Sequence, residues 1–170
     1  MIHTFGGKSP VLGEGAWIAE GAQVIGDVVL GKRVNVWFNS VLRGDVMPIR
    51  IGDDTNIQDL TMVHVTGGQY ACTIGARVTV GHRVILHGTT VGDLALIGMG
   101  AILLDGSEIG SESIIGAGSV VTPRTKIPPR VMAFGSPCRV VRDLKPAELE
   151  GLRESAAHYV ELAGQYRSGK

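Results

Sequence analysis

The chain has 170 residues, of which 44% are hydrophobic but only 5% aromatic, with 25 glycines, and its 16 basic residues balance 16 acidic ones. That length suits one domain with a sizeable core, and the scarcity of aromatics excludes an aromatic-centred globule in favour of a fold stacked from small aliphatic units. With no run of either charge, nothing points to nucleic acid or an anionic membrane, which leaves small neutral ligands or self-association.

The first ten residues, MIHTFGGKSP, hold no basic segment followed by an apolar stretch, and no apolar run approaches a membrane span. The expectation is a soluble, cytoplasmic protein with no membrane partner. Cys72 and Cys138 are too few for a disulfide framework and lack CxxC spacing, so they read as free thiols.

A six-residue period organises the chain from Leu12 onward. Leu12, Ile18, Val24, Leu30, Val36 and Leu42 are spaced six apart, and the register resumes at Ile51, Ile57 and Val63, then at Ile74, Val80 and Leu86. From Val91 it runs unbroken through Ile97, Leu103, Ile109, Ile115 and Val121 to Ile127. A unit with one inward aliphatic residue cannot bury itself alone, so it must stack into a solenoid. Three units close one triangular coil of eighteen residues.

The period lengthens near the end. Leu149, Leu152, Ala156, Tyr159, Ala163 and Tyr166 recur at steps of three or four, the spacing of one apolar helical face. Pro146 suits the first helical position, and Glu148 and Glu150 favour the positive end of the helix. The predicted division is therefore a solenoid over 1–142 and a helix within 143–170, packed on the solenoid or on a neighbouring subunit.

Every third unit shares a face, so Val24, Leu42, Val63, Leu86 and Leu103 form one column, followed by Ile25, Arg43, His64, His87 and Leu104. His64 and His87 should then stack on adjacent coils about 4.8 Å apart, close enough to share one metal ion. GHRVILH, residues 81–87, otherwise reads as a strand, yet His82 falls on the preceding face and cannot comfortably reach that ion within one prism. A trimer of side-by-side prisms would bring His82 of one subunit to His64 and His87 of another, leaving a fourth position for water. Arg43 stands in the His64 and His87 column and Asp59 in that of His82, so a neighbour's Asp59 is expected to pair with Arg43. Gln58 is placed to hydrogen-bond a metal-bound hydroxide or its product. The same residue types also cap solenoid corners, and an Arg–Asp pair also cements an interface.

With RGD at 43–45, NIQD at 56–59, His64 and GHRVILH ending at His87, the sequence resembles the γ-class carbonic anhydrases of the hexapeptide-repeat superfamily, over about residues 11–140. The resemblance implies a left-handed parallel β-helix and a homotrimer with metal sites between subunits. It implies ligand roles for His64, His82 and His87, and supporting roles around them for Arg43, Asp45, Asn56, Gln58 and Asp59. It also brings Tyr159 toward the site from the C-terminal helix, as one candidate beside buffer and water chains for relaying the proton, and makes Asn56, Gln58 and Tyr159 the candidate catalytic residues. The implied reaction is hydration of CO2 to bicarbonate, with Zn2+ as the first expectation and Co2+ or Fe2+ also suited to three imidazoles. One feature departs from the archaeal members, whose loop after the first histidine is acidic and moves protons. Here that loop is VTGGQYACTIG, with no Asp or Glu. Two rivals stand beside this reading: an acyltransferase or thioesterase using acyl-coenzyme A, and a silent metal-binding trimeric scaffold.

Overall fold

The computed structural model describes residues 1–169. The chain forms a left-handed parallel β-solenoid of about seven turns, followed by one helix, Pro146–Ser168. Most strands have only two or three residues. Each such strand contributes one inward aliphatic side chain, and the next corner follows at once. The corners adopt left-handed backbone even at residues with a Cβ, among them Arg33, Asp54, Arg77, Arg83 and Arg130. Stacked corners repay that cost, because each one hydrogen-bonds the corner of the coil beside it, as Arg77 N–H does to the Asp53 carbonyl at 2.7 Å.

The expected columns are the observed ones. Val24 pairs with Leu42, Leu42 with Val63, Val63 with Leu86 and Leu86 with Leu103, all in parallel register. These residues are all fully buried within one continuous aliphatic core. Each such side chain stabilises the fold by about 1.5–3 kcal/mol relative to exposure. Two long strands, Gln23–Leu30 and Val41–Ile51, turn a corner without breaking, and so join two faces of the prism into one twelve-stranded sheet. The third face is an eight-stranded sheet.

The ending differs from simple continuation of the repeat. Val131–Gly135 and Cys138–Asp143 form an antiparallel hairpin that closes the top of the prism. Its second strand gives the eight-stranded sheet a charged edge, with Arg139, Arg142 and Asp143 exposed. Pro146 opens the helix as expected, and the Glu148 carboxylate accepts the Lys145 backbone N–H at 2.8 Å.

The helix lies on its own solenoid, across the face made by Asn35–Val36, Asn56–Ile57 and Thr79–Val80. Leu152, Ala156 and Ala163 are its buried residues. Tyr159 and Tyr166 both meet Trp37 edge to face, at 5.5 and 5.3 Å between centroids. Five of the eight aromatics, Trp17, Trp37, Phe38, Tyr159 and Tyr166, gather where the helix lands. Among the described residues no helix is long and apolar enough to cross a membrane. Cys72 and Cys138 are both buried, and burial pushes the Cys72 thiol up to about 12, so it stays protonated and unreactive at neutral pH.

Candidate metal centre

The sequence GHRVILH is a corner followed by a strand. Arg83 takes the left-handed corner conformation, and the strand is Ile85–His87. His82 therefore stands on the corner with its imidazole 42% exposed, whereas His87 sits at the strand's end. His64 and His87 are directly paired across adjacent coils, as the column count requires. Their rings lie 5.1 Å apart between centroids, with His64 Nδ1 3.1 Å from His87 Nε2.

Each of the three histidines is also held by a carboxylate. His64 Nε2 is 3.1 Å from Asp45 Oδ1, His87 Nδ1 is 2.7 Å from Asp105 Oδ1, and His82 Nδ1 is 2.8 Å from Asp59 Oδ2. A ring N–H donating to a carboxylate fixes the tautomer and leaves the opposite nitrogen as a lone pair. For His64 and His87 the two remaining nitrogens face one another, so their lone pairs point together, and only a proton or a cation between them relieves the repulsion. The donor set fits a divalent ion. Two imidazole nitrogens bound at about 2.0–2.1 Å to a tetrahedral ion stand about 3.3–3.4 Å apart, against the 3.1 Å found here.

Two of these carboxylates, Asp45 and Asp105, are held in the charged form. Burial works against the charge on Asp45, but hydrogen bonds from His64 and Arg43 outweigh it and hold the carboxyl below the usual range. Burial likewise opposes the charge of Asp105, and the bonds from His87 and Thr66 prevail. Arg43 pairs with Asp45 of its own chain. Within the chain Asp59 holds His82, and the expected pairing of Arg43 with a neighbour's Asp59 belongs to a contact between subunits.

Gln58, His82 and Tyr159 line one open groove of about 570 Å3, with Leu96, Ile114 and Met132 along its wall. A ladder of hydrogen bonds fixes its polar end. Gln58 Nε2 donates to Asn56 Oδ1 at 3.0 Å, Asn56 Nδ2 donates to Thr79 Oγ1 at 3.1 Å, and Thr79 meets Ser155 of the helix at 3.1 Å. Burial, and then the charge of Asp59, raise the Tyr159 phenol above its ordinary value.

The sequence-predicted residues thus fall into two groups on one chain. His64, His87, Arg43 and Asp45 form one, and His82, Asp59, Gln58, Asn56 and Tyr159 form the other. Among the described residues of one chain, no three His, Cys, Asp or Glu side chains gather on a single ion. Sequence reasoning missed Asp105, Thr66, Thr79 and Ser155. Asp105 was within reach of it, since it lies 18 residues beyond His87 and so one uninterrupted coil away.

Two segments, residues 9–44 and 88–123, match the family described as bacterial transferase hexapeptide (six repeats). The chain is 46% identical to the carbonic anhydrase of Geobacillus kaustophilus, over 99% of this chain and 92% of that one. It belongs to the γ-class carbonic anhydrase-like family of hexapeptide-repeat proteins. Gamma carbonic anhydrase 2, mitochondrial, of Arabidopsis thaliana is 43% identical over 92% of this chain, which spans only 58% of that protein's length. The fold of the family is also seen in a crystal structure of a hexapeptide transferase family protein from Anaplasma phagocytophilum, at a TM-score of 0.94 and 37% identity, covering 98% of both chains.

Proposed function

We propose that this chain acts as a homotrimer in which each interface brings His82 of one subunit to His64 and His87 of the next around one divalent ion, and that this site hydrates CO2 reversibly to bicarbonate. The observation that carries the reading is the common setting of the three histidines: each has one ring nitrogen within hydrogen-bonding distance of a carboxylate, which orients the ring and leaves its other nitrogen to ligate. Three neutral imidazoles suit Zn2+ with a fourth position open, and Co2+ or Fe2+ suit the same donors. A divalent ion held there by His64, His87 and a neighbour's His82 would supply a Lewis acid that lowers the pKa of water toward neutrality.

The chain's own residues do the rest. Gln58 is locked to Asn56 through Nε2, so its other amide groups meet the groove in a fixed orientation and align substrate or product. Tyr159 stays protonated at neutral pH, which makes it a hydrogen-bond donor at the wall of the groove. The proton leaves through buffer and solvent, because residues 65–75 offer no carboxylate. Turnover is accordingly slow and dependent on buffer concentration.

The test is CO2 hydration by stopped flow on metal-quantified protein, reconstituted anaerobically with zinc, cobalt or ferrous iron, beside His82→Ala. Activity that follows metal content and vanishes in His82→Ala supports the reading. Full metal loading without hydration under every reconstitution overturns it and favours a silent scaffold. The likeness to a crystal structure of a putative acetyltransferase from Bacillus cereus, 43% identical at a TM-score of 0.97, favours acyl transfer as the second reading. Coenzyme A binding to metal-free protein would single out that outcome.

A further inference from the structure

The insertion between Val63 and Ile74 has a structural role of its own. The step between these inward residues is eleven rather than six, and the extra chain folds back on itself. Thr66 N–H donates to the Tyr70 carbonyl at 2.9 Å and Tyr70 N–H to the Thr66 carbonyl at 3.0 Å, which closes a small antiparallel bridge. Tyr70 then lies over two bare glycines of the coils above. A Cβ at Gly88 would come within 2.6 Å of Tyr70 Cβ, and one at Gly106 within 2.9 Å of Tyr70 Cε1. The Gly88 position also admits Asp105, whose Oδ1 would lie 2.5 Å from such a Cβ. Thr66 Oγ1 donates to Asp105 Oδ2 at 2.9 Å, while the other oxygen of that carboxylate holds His87 at 2.7 Å.

We propose that the Thr66–Tyr70 insertion is a clasp that positions His87 through Asp105, and so sets how tightly this edge of the molecule retains a divalent cation. The inference rests on the metal-site reading above but not on the reaction assigned to it. The carboxylate of Asp105 is part-exposed, with 30% of its side-chain surface open, and would rotate toward water if only His87 held it. Gripped at both oxygens, it stays in the plane that keeps the His87 proton on Nδ1 and aims Nε2 at His64. Thr66 and Tyr70 are positioning residues, because they act on the cation only through Asp105 and His87.

The experiment measures zinc affinity of the full chain by chelator competition, the visible spectrum of the Co2+-loaded protein, and the His87 tautomer in metal-free protein by 15N NMR. Asp105→Asn should weaken zinc binding about 10–100-fold, the usual effect of removing a partner from a metal-ligating histidine. Thr66→Val and Tyr70→Ala should weaken it severalfold, alter the cobalt spectrum and give mixed His87 tautomers, and Thr66→Ser should restore all three. Unchanged affinity, spectrum and tautomer in folded Thr66→Val and Tyr70→Ala would overturn the clasp, as would a Thr66→Ser no better than Thr66→Val. Zinc binding that follows the series without CO2 hydration would refute the reaction and leave the clasp standing. A wild-type chain that binds no zinc would overturn both.

Discussion

Gln58 and His82 line the same groove yet are held by different partners, so their substitutions should separate catalysis from metal retention. The Gln58 side chain is hydrogen-bonded to Asn56, whereas His82 is tied to Asp59. Gln58→Ala should keep zinc at wild-type occupancy and lower kcat/KM about 100–1,000-fold, the range for removing a preorganised group that meets the reacting atoms. His82→Ala should lose zinc while keeping its circular dichroism, since His82 stands on an exposed corner outside the aliphatic column. Elemental analysis beside stopped-flow kinetics reads both. Of the site residues, the sequence made legible those fixed by counting coils: the His64 and His87 pairing follows from a 23-residue separation once the insertion is allowed for. What escaped were contacts across an insertion or between unlike elements. Thr66 reaches Asp105 over 39 positions, and Thr79 meets Ser155 over 76. No periodicity encodes those.

At the scale of elements, the coils are stapled by residues whose only task is to fill the column. Leu86 is fully buried and directly precedes His87. Leu86→Ala should cost about 2–5 kcal/mol by transfer and cavity terms, read from denaturant unfolding, and should loosen zinc binding as His87 loses its support. The helix start behaves differently because it is held by surface charge. The bidentate Arg142 contact, aided by the Lys145 backbone N–H, lowers the Glu148 carboxyl from 4.5 to about 2. Its folded value lies below its unfolded one, so its stabilisation is present in full above about pH 4.5 and disappears as the pH falls toward 2. The thermal midpoints of the wild type and Glu148→Gln should therefore differ at neutral pH and converge across that window, with the midpoint followed by circular dichroism at 222 nm. The helix itself was legible from its three-and-four spacing and from Pro146. The hairpin of Val131–Gly135 and Cys138–Asp143 was not, because it leaves the hexapeptide period while its residues remain typical of strands.

The whole molecule presents its site residues on two separate edges, with one lone-pair nitrogen on the His82 side and two on the His64 and His87 side. Neither half completes a three-imidazole site, and that incompleteness argues for assembly: a cyclic trimer repeats the same junction three times and joins opposite halves at each. The most direct measurement pairs two inactive variants that fail at opposite halves. His82→Ala and His64→Ala, each refolded with zinc in the buffer and assayed alone, should show no CO2 hydration. Co-refolded in equal amounts, random assortment should return about a quarter of wild-type activity, because about three in four trimers are mixed and each has one intact junction of its three. Recovery near that level is the predicted result. Mixed trimers, verified by native mass spectrometry, that stay inactive would contradict a metal site shared between subunits.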